Sequence, residues 1–251
     1  MRRFFAPKIP ALHAQFSLPE AEARHFATVL RGKPGDSIKI LDGDGTIALC
    51  QVLEIAGSRK RPDVIVQVDS YETTLPGGPQ ICLFVACPRT RQMELILRQA
   101  TELGVAEIFP IITEFTVSKP NEAPDKWQHI LIEAVKQSGN PFLPKLHPVM
   151  TFDQALSVDC CPQVGYYGAV PVTGEEGVCH KKFGNLERVA LWIGPEGGFS
   201  GVELEALRNK TCQDLETDEV SRSFLPLTIG HHILRIETAC TAGIALLTSS
   251  V

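Results

Sequence analysis

The sequence has no apolar run near the roughly 18 residues that cross a bilayer, so no membrane-spanning segment is expected. Its opening, MRRFFAPKIP, lacks the apolar stretch of a secretion signal, and a cytoplasmic address is the expectation. Paired cysteine spacing is also missing. The eight cysteines, Cys50, Cys82, Cys87, Cys160, Cys161, Cys179, Cys212 and Cys240, are scattered without a CxxC, which points to reduced structural thiols and to no metal site. Neither a P-loop nor a GxGxxG order occurs, which removes the usual phosphate cradles and makes a nicotinamide oxidoreductase a poor fit. Repeats and low-complexity tracts are absent.

What is present is a 251-residue chain with 44% hydrophobic residues, enough for one large or two smaller cores. The net charge of −5 is uneven. Residues 1–72 carry 10 Lys+Arg against 9 Asp+Glu, and the remainder carries 14 against 20. The basic excess lies in MRR, in Arg24 with His25, in Arg31 with Lys33, and in Arg59, Lys60 and Arg61. That is a weak electrostatic footprint for phosphate, set against ordinary solvated surface charge.

Short strands around one small helix are expected in the first 72 residues. Ser17 precedes Glu20 at capping-box spacing, with Pro19 in the first turn, which predicts a helix over about 18–30. SIKIL, the DGDG turn, TIALCQVLEI and DVIVQVDSY then read as a hairpin and a further strand, together a small β-barrel. Residues 73–79, TTLPGGP, form the expected linker between a domain at 1–72 and one at 80–251.

Beyond the linker, strand and helix alternate. ICLFVAC is a buried-type strand, and RQMELILRQATEL places Met93, Ile96, Leu97, Ala100 and Leu103 on one helical face ended by Gly104. EIFPII, a helix over about 126–137 and RVALWIG follow, so the fold class is α/β with a mostly parallel sheet. In RVALWIGPEGGFSGVELEAL the strand stops at Gly194, passes through Pro195, Glu196, Gly197 and Gly198, and restarts as a helix capped by Ser200 and Glu203. So many glycines at the C-terminal end of a buried strand suit a ligand loop better than a simple turn.

A second constellation is LTIGHHILRIETACTAGIALLTS. Leu227, Thr228, Ile229 and Gly230 read as a strand end and turn. A helix rich in Ala, Gly and Thr follows, with Arg235 and Glu237 inside it as either a structural ion pair or site residues. His231 and His232 have no third ligand spaced nearby and read as turn residues.

The motifs IGPEGGFS, IGHHILRIETA and RQATELGV, with RRFF and HFATVLRGKPGD near the start, resemble the RsmE family of 16S ribosomal RNA uridine-N3 methyltransferases, of the SPOUT class. The likeness runs end to end. It implies a PUA-like β-barrel that positions RNA, then a SPOUT-type domain with a C-terminal trefoil knot that binds S-adenosylmethionine, and a homodimer acting on 16S rRNA in the small ribosomal subunit. The cofactor loops carried over by motif comprise Ile193, Gly194, Pro195, Glu196, Gly197 and Gly198, and Leu227, Thr228, Ile229, Gly230, Ile233 and Leu234, with Tyr167 beside them. Arg2, Arg3, His25, Arg31 and Lys33 are the RNA-binding candidates. The sequence departs from the family's usual arginines at Phe115, Asn140 and His232, for which Lys119, Lys136, Arg89 and Arg91 are candidate replacements.

A sulfonium methyl is already activated, so the protein's task is to hold the acceptor nitrogen in line with it, which needs no metal. Uridine N3 carries a weakly acidic proton, whose removal leaves charge that a guanidinium stabilises. Arg235 is the candidate for that role, and Glu237 either orients Arg235 or takes the proton. Alternatives are a SPOUT enzyme with another RNA target and a non-catalytic RNA-binding assembly factor.

Overall fold

The computed structural model describes residues 2–162, 164–169, 187–208 and 224–248. The chain divides into two units, Met1–Pro76 with Ile132–Leu143, and Gly77–Leu131 with Pro144–Val251.

The first unit contains β1 (Arg3–Phe5), β2 (Gln15–Ser17), α1 (Glu20–Arg24), β3 (Ser37–Leu41), β4 (Thr46–Ser58) and β5 (Arg61–Thr73). Its sheet runs β1-β3-β4-β5-β2, parallel only between β1 and β3. The two-residue period of a half-buried strand sends Val64, Val66 and Val68 inward to meet Phe4, Phe26, Ile38 and Ile40. The DGDG turn forms as expected: Gly43 and Gly45 take φ of +88° and +101°, and Asp42 Oδ1 accepts from the Asp44 and Thr46 amides at 2.8 and 2.9 Å.

The expected helix over 18–30 is shorter. Five α-helical residues give way to a wider π turn over His25–Val29. Phe26, on that turn, is fully buried, and a Cβ at Gly32 would lie 2.0 Å from its ring. The expected capping box does not form, because Pro19, not Ser17, is the N-cap; Ser17, two residues earlier, is paired with Ile65 in the sheet.

The second unit contributes β6 (Gln80–Ala86), α2 (Thr90–Glu102), β7 (Glu107–Ile112), α3 (Asp125–Ser138), β8 (Lys145–Leu146), β9 (Met150–Thr151), α4 (Phe152–Leu156), β10 (Gly165–Gly168), β11 (Arg188–Ile193), α5 (Gly201–Arg208), β12 (Phe224–Leu227) and α6 (Ile236–Thr248). The C-terminal part of α3 belongs to the first unit. The sheet order is β12-β10-β11-β6-β7-β8, with β9 also on β7, and every pairing is parallel. Such a sheet is covered on its faces, which is why β6 is a continuous apolar run, buried from Ile81 to Ala86. Register sets Trp192 opposite Phe84 and Phe84 opposite Phe109. Their rings stack at 4.0 and 4.3 Å, and His147 extends the stack on Phe109 at 3.8 Å.

The small residues of α6 serve close packing within the unit. A Cβ at Gly243 would lie 3.0 Å from Leu191 of β11, and Thr241 Oγ1 bonds to Gln99 of α2 at 2.8 Å. Among the described cysteines, Cys50, Cys82, Cys87 and Cys240 are buried free thiols and Cys160 and Cys161 half-buried ones; Cys179 and Cys212 lie outside the described residues.

Candidate active site

In the second unit, the segments that follow β10, β11 and β12 converge at the C-terminal edge of the sheet and enclose a pocket of about 80 Å³. This is where open parallel sheets hold ligands, outside the strand ends at a change in strand order. Gly168 and Ala169 line it from β10, and Ile193, Gly194, Pro195, Glu196 and Gly198 from the turn after β11. Leu227, Ile229, His232, Ile233, Leu234, Ile236 and Ala239 line it from β12 and the start of α6.

The glycines do different things. A Cβ at Gly194 would lie 3.1 Å from the Gly198 carbonyl carbon and 3.2 Å from the Phe199 nitrogen, so a side chain there would push the turn open by a few tenths of an ångström. Gly198 has φ of +75° and donates its amide to the Pro195 carbonyl at 2.8 Å. Gly197 does not line the pocket; a Cβ there would point at Phe115, 3.4 Å from its Cβ. Thr228 and Gly230 also stay off the pocket wall, although Gly230 turns the chain at φ of +71°. The Tyr167 ring is buried, and its hydroxyl accepts from Arg208 Nε at 3.0 Å. The wall is instead made by the next two residues, Gly168 and Ala169.

The expected cap of α5 forms. Ser200 donates its amide to Glu203 Oε2 at 2.8 Å, and the Glu203 amide reaches Ser200 Oγ at 3.4 Å. Glu203 Oε1 accepts from the Glu114 amide at 2.9 Å, a second bond the spacing could not foretell. The two bonds to the Glu203 carboxylate satisfy an N–H with a charged acceptor, the stronger class of hydrogen bond.

Arg235 and Glu237 are not both inside the helix as expected. Arg235 precedes α6, is exposed, and lends its carbonyl to the Ala239 amide at 2.8 Å; Glu237 sits half-buried in the first turn. Neither lines the pocket, although Leu234 and Ile236 on either side of Arg235 do. No ion pair joins Arg235 to Glu237 among the described residues.

The pocket wall carries backbone amide and carbonyl groups, several aliphatic side chains, one carboxylate and one imidazole, with no Lys or Arg among the described lining residues. That set does not suit a phosphate-bearing ligand. It suits a planar heterocycle held between aliphatic side chains and read by backbone groups, with a carboxylate for a hydroxyl or cationic centre.

At the opposite, N-terminal edge of the same sheet, Arg188 binds Glu107, and His147 Nε2 lies 2.6 Å from the other Glu107 oxygen. Cys160 brings a third ligand-type atom within 4.8 Å of Glu107 and His147. Sequence spacing gave no hint of this cluster, because four separate elements supply it. The Arg188 guanidinium already neutralises the carboxylate there.

In the first unit, the RNA-binding candidates separate. Arg3 is committed to the end of α3, its Nη1 donating to the Lys136 and Gln137 carbonyls at 3.3 and 3.0 Å. Arg2, His25, Arg31 and Lys33 are exposed, Arg2 lying 3.8 Å from Asp36. Arg24, Thr28, Arg59 and Lys60 line a separate basic recess. Lys136 is no free replacement cation: its ammonium is buried between Glu22 at 2.8 Å and Glu133 at 2.6 Å. Burial alone would lower its pKa, and hydrogen bonds and charge from the two carboxylates outweigh that and raise it.

Comparison with known proteins agrees with the geometry. Residues 76–248 match the RNA methyltransferase domain family, and residues 18–67 match the RNA methyltransferase PUA domain family. A ribosomal RNA small subunit methyltransferase E from Aquifex aeolicus is 30% identical, over 92% of this chain and 92% of its own. A ribosomal RNA small subunit methyltransferase E 2 from Borreliella burgdorferi is 32% identical over 74% of this chain and 76% of its own. The crystal structure of a ribosomal RNA small subunit methyltransferase E from Neisseria gonorrhoeae bound to S-adenosyl methionine superposes with a TM-score of 0.82, at 25% identity, over 99% of this chain and 97% of that one. With a PUA domain ahead of a parallel α/β methyltransferase domain, and with a glycine-turn pocket at the C-terminal edge of that sheet, the chain belongs to the ribosomal RNA small subunit methyltransferase E family.

Proposed function

We propose that this chain transfers a methyl group from S-adenosylmethionine to N3 of a uridine in 16S rRNA of the small ribosomal subunit. The observation that carries the proposal is the pocket built by three backbone turns at the ends of β10, β11 and β12, with no Lys or Arg among its described lining residues. Ile193, Leu227, Ile229, Ile233 and Leu234 supply aliphatic walls for the cofactor's adenine, and the glycine turn brings backbone groups to its edges. Glu196 is the one carboxylate among the described wall residues, suited to a ribose hydroxyl or the cofactor's ammonium group. When bound, the cofactor supplies an electrophilic methyl, and the chain's part is to orient the acceptor and manage its proton.

Arg235 fits the second task. It stands at the N-terminal end of α6, where guanidinium charge and helix dipole act together on a negative charge developing on the base. Its exposure and lack of an ion pair among the described residues favour a site role over a structural pair. Glu237, two residues on, orients Arg235 or takes the N3 proton.

The same proposal assigns RNA positioning to the N-terminal domain, residues 1–72, through Arg2, His25, Arg31 and Lys33, joined by Arg24, Arg59 and Lys60 of the basic recess. Arg3 acts there by holding the end of α3. Residues 73–79 link this domain to the methyltransferase domain at 80–251, whose C-terminal part forms a trefoil knot, and the chain works as a homodimer. Small subunits assemble in the cytoplasm, and the enzyme acts there; among the described residues no helix is long and apolar enough to cross a membrane.

Mass spectrometry of rRNA nucleosides, after incubating small subunits with the chain and S-adenosylmethionine, tests the reaction: N3-methyluridine is the expected product, and its absence refutes the proposal. Arg235→Ala should slow turnover by about 2 kcal/mol of barrier, roughly thirtyfold, with cofactor affinity kept within a few fold. Unchanged turnover with a lower melting temperature would assign Arg235 to structure instead.

A further inference from the structure

One large apolar side chain beside the turn that lines the pocket is left about half exposed. Phe115 is 47% exposed, although β7, which leads into its loop, is buried along most of its length. The loop is nonetheless rigidly held. The Thr113 amide donates to Thr116 Oγ1 at 2.9 Å, the two hydroxyls meet at 2.8 Å with both threonines buried, and the Glu114 amide is anchored on Glu203 at 2.9 Å. Glu203 is itself 8% exposed and caps α5 directly after the glycine turn. One carboxylate therefore fixes both the loop that presents Phe115 and the turn that lines the pocket. The two meet at Gly197: its neighbours Glu196 and Gly198 face the pocket, while a Cβ at Gly197 would sit in ordinary contact with Phe115, 3.4 Å from its Cβ and 3.6 Å from the nearest ring atoms.

We propose that Phe115 is the stacking platform for the target uracil. The inference rests on the uridine-N3 reading and deepens it. N3 lies in the middle of the uracil Watson–Crick edge, between O2 and O4, so that edge must be unpaired and turned toward the methyl donor. The methyl donor and the groups that manage the N3 proton and charge take up that edge. The faces of the ring are the remaining handle, and enzymes that act on single bases take them out of the stack and hold them against aromatic or apolar side chains. An exposed aromatic ring on a fixed loop, against the turn that builds the cofactor pocket, provides that handle and tells a flipped base from a paired one.

The test compares wild type with Phe115→Ala, Phe115→Leu and Phe115→Trp on small subunits, reading N3-methyluridine formation, S-adenosylmethionine affinity by calorimetry and mass by sedimentation. Stacking predicts that Ala and Leu lose about tenfold to a hundredfold in kcat/KM for the subunit, that Trp stays within about threefold, and that cofactor affinity and mass do not change. Phe115→Leu as active as wild type would overturn the proposal, because leucine keeps the apolar contact but not the flat face. A variant that loses cofactor affinity, or that sediments at half the wild-type mass, would likewise overturn it, assigning Phe115 to the pocket or to a protein interface. A wild type that forms no N3-methyluridine refutes the activity itself, a result distinct from an active wild type with indifferent variants.

Discussion

Two helices of this chain begin with a serine three residues ahead of a glutamate, one in each unit, and only one uses the pair. Ser200 and Glu203 cap α5 because the chain reaches them from a turn, with their polar groups uncommitted. Ser17 and Glu20 do not cap α1, because the helix starts at Glu20 with Pro19 as its N-cap, and Ser17, two residues earlier, is still in a strand paired with β5. The first helix is held instead by a distant partner, Lys136, whose ammonium meets Glu22 at 2.8 Å with both side chains buried. Pairing in a sheet does not by itself prevent capping, since Thr151 ends β9 opposite Ile112 and still forms a capping box with Gln154 at the start of α4; what decides is whether the residue stands at the N-cap.

The largest effect should come from that anchor. Lys136→Met leaves Glu22, which already has one buried oxygen without a partner, as an uncompensated buried charge, and should cost about 3–5 kcal/mol of stability. Urea unfolding of the variant measures it, and a loss below about 1 kcal/mol would show that α1 is held by its apolar face alone. Next comes the contrast between the two glutamates. Glu203→Ala strips an acceptor from both the Ser200 and Glu114 amides and should cost about 2–3 kcal/mol, whereas Glu20→Ala, which removes only an exposed pair with Arg24, should stay within about 0.5 kcal/mol. Equal costs at the two positions would break the comparison.

A smaller effect per group separates the units by pH. Burial lifts the thiols of Cys50 and Cys87 to about 12 and that of Cys82 to about 11, the last despite an opposing hydrogen bond from Arg188, and it raises Cys240 as well. Unfolded thiols ionise near 9 while the folded ones stay neutral. Their contribution is therefore complete below pH 9 and is lost as pH rises from there toward 11–12, by about 1.4 kcal/mol per thiol at pH 10. Of these four, only Cys50 lies in the first unit. Limited proteolysis in urea at pH 8 and pH 10, with the fragments mapped, should show the second unit weakening more; equal weakening would refute the assignment.

Local signals were legible in the sequence. Strand alternation, the DGDG turn, the α2 face and the capped turn after β11 each depend on residues a few positions apart, and each stands where expected. Leu103 alone of the expected α2 face is half-buried, because it has already become the helix's C-cap. What escaped was set by distance or by competition. Lys136 and Glu22 are 114 positions apart, so the lysine looked like a free surface cation. The π turn after α1 answers to the packing of Phe26, which periodicity does not register. At the pocket, the motif located both loops and missed how they face. Gly197 faces the neighbouring Phe115, and Gly168 and Ala169 replace Tyr167 at the wall because the pocket lies beyond the C-terminal end of β10, while the Tyr167 ring is buried.

The stacked rings of β6, β7 and β11 carry one more consequence. Trp192, at one end of that stack, and Trp127, in α3, are the chain's two indoles, and both belong to the second unit. Both are buried, so their emission shifts to longer wavelength when that unit opens to water. Emission excited selectively from tryptophan, leaving out Tyr71 of β5, is therefore blind to the N-terminal sheet. An emission-monitored melting curve reports the methyltransferase unit alone, and any divergence from far-ultraviolet dichroism measures the unfolding of the other unit.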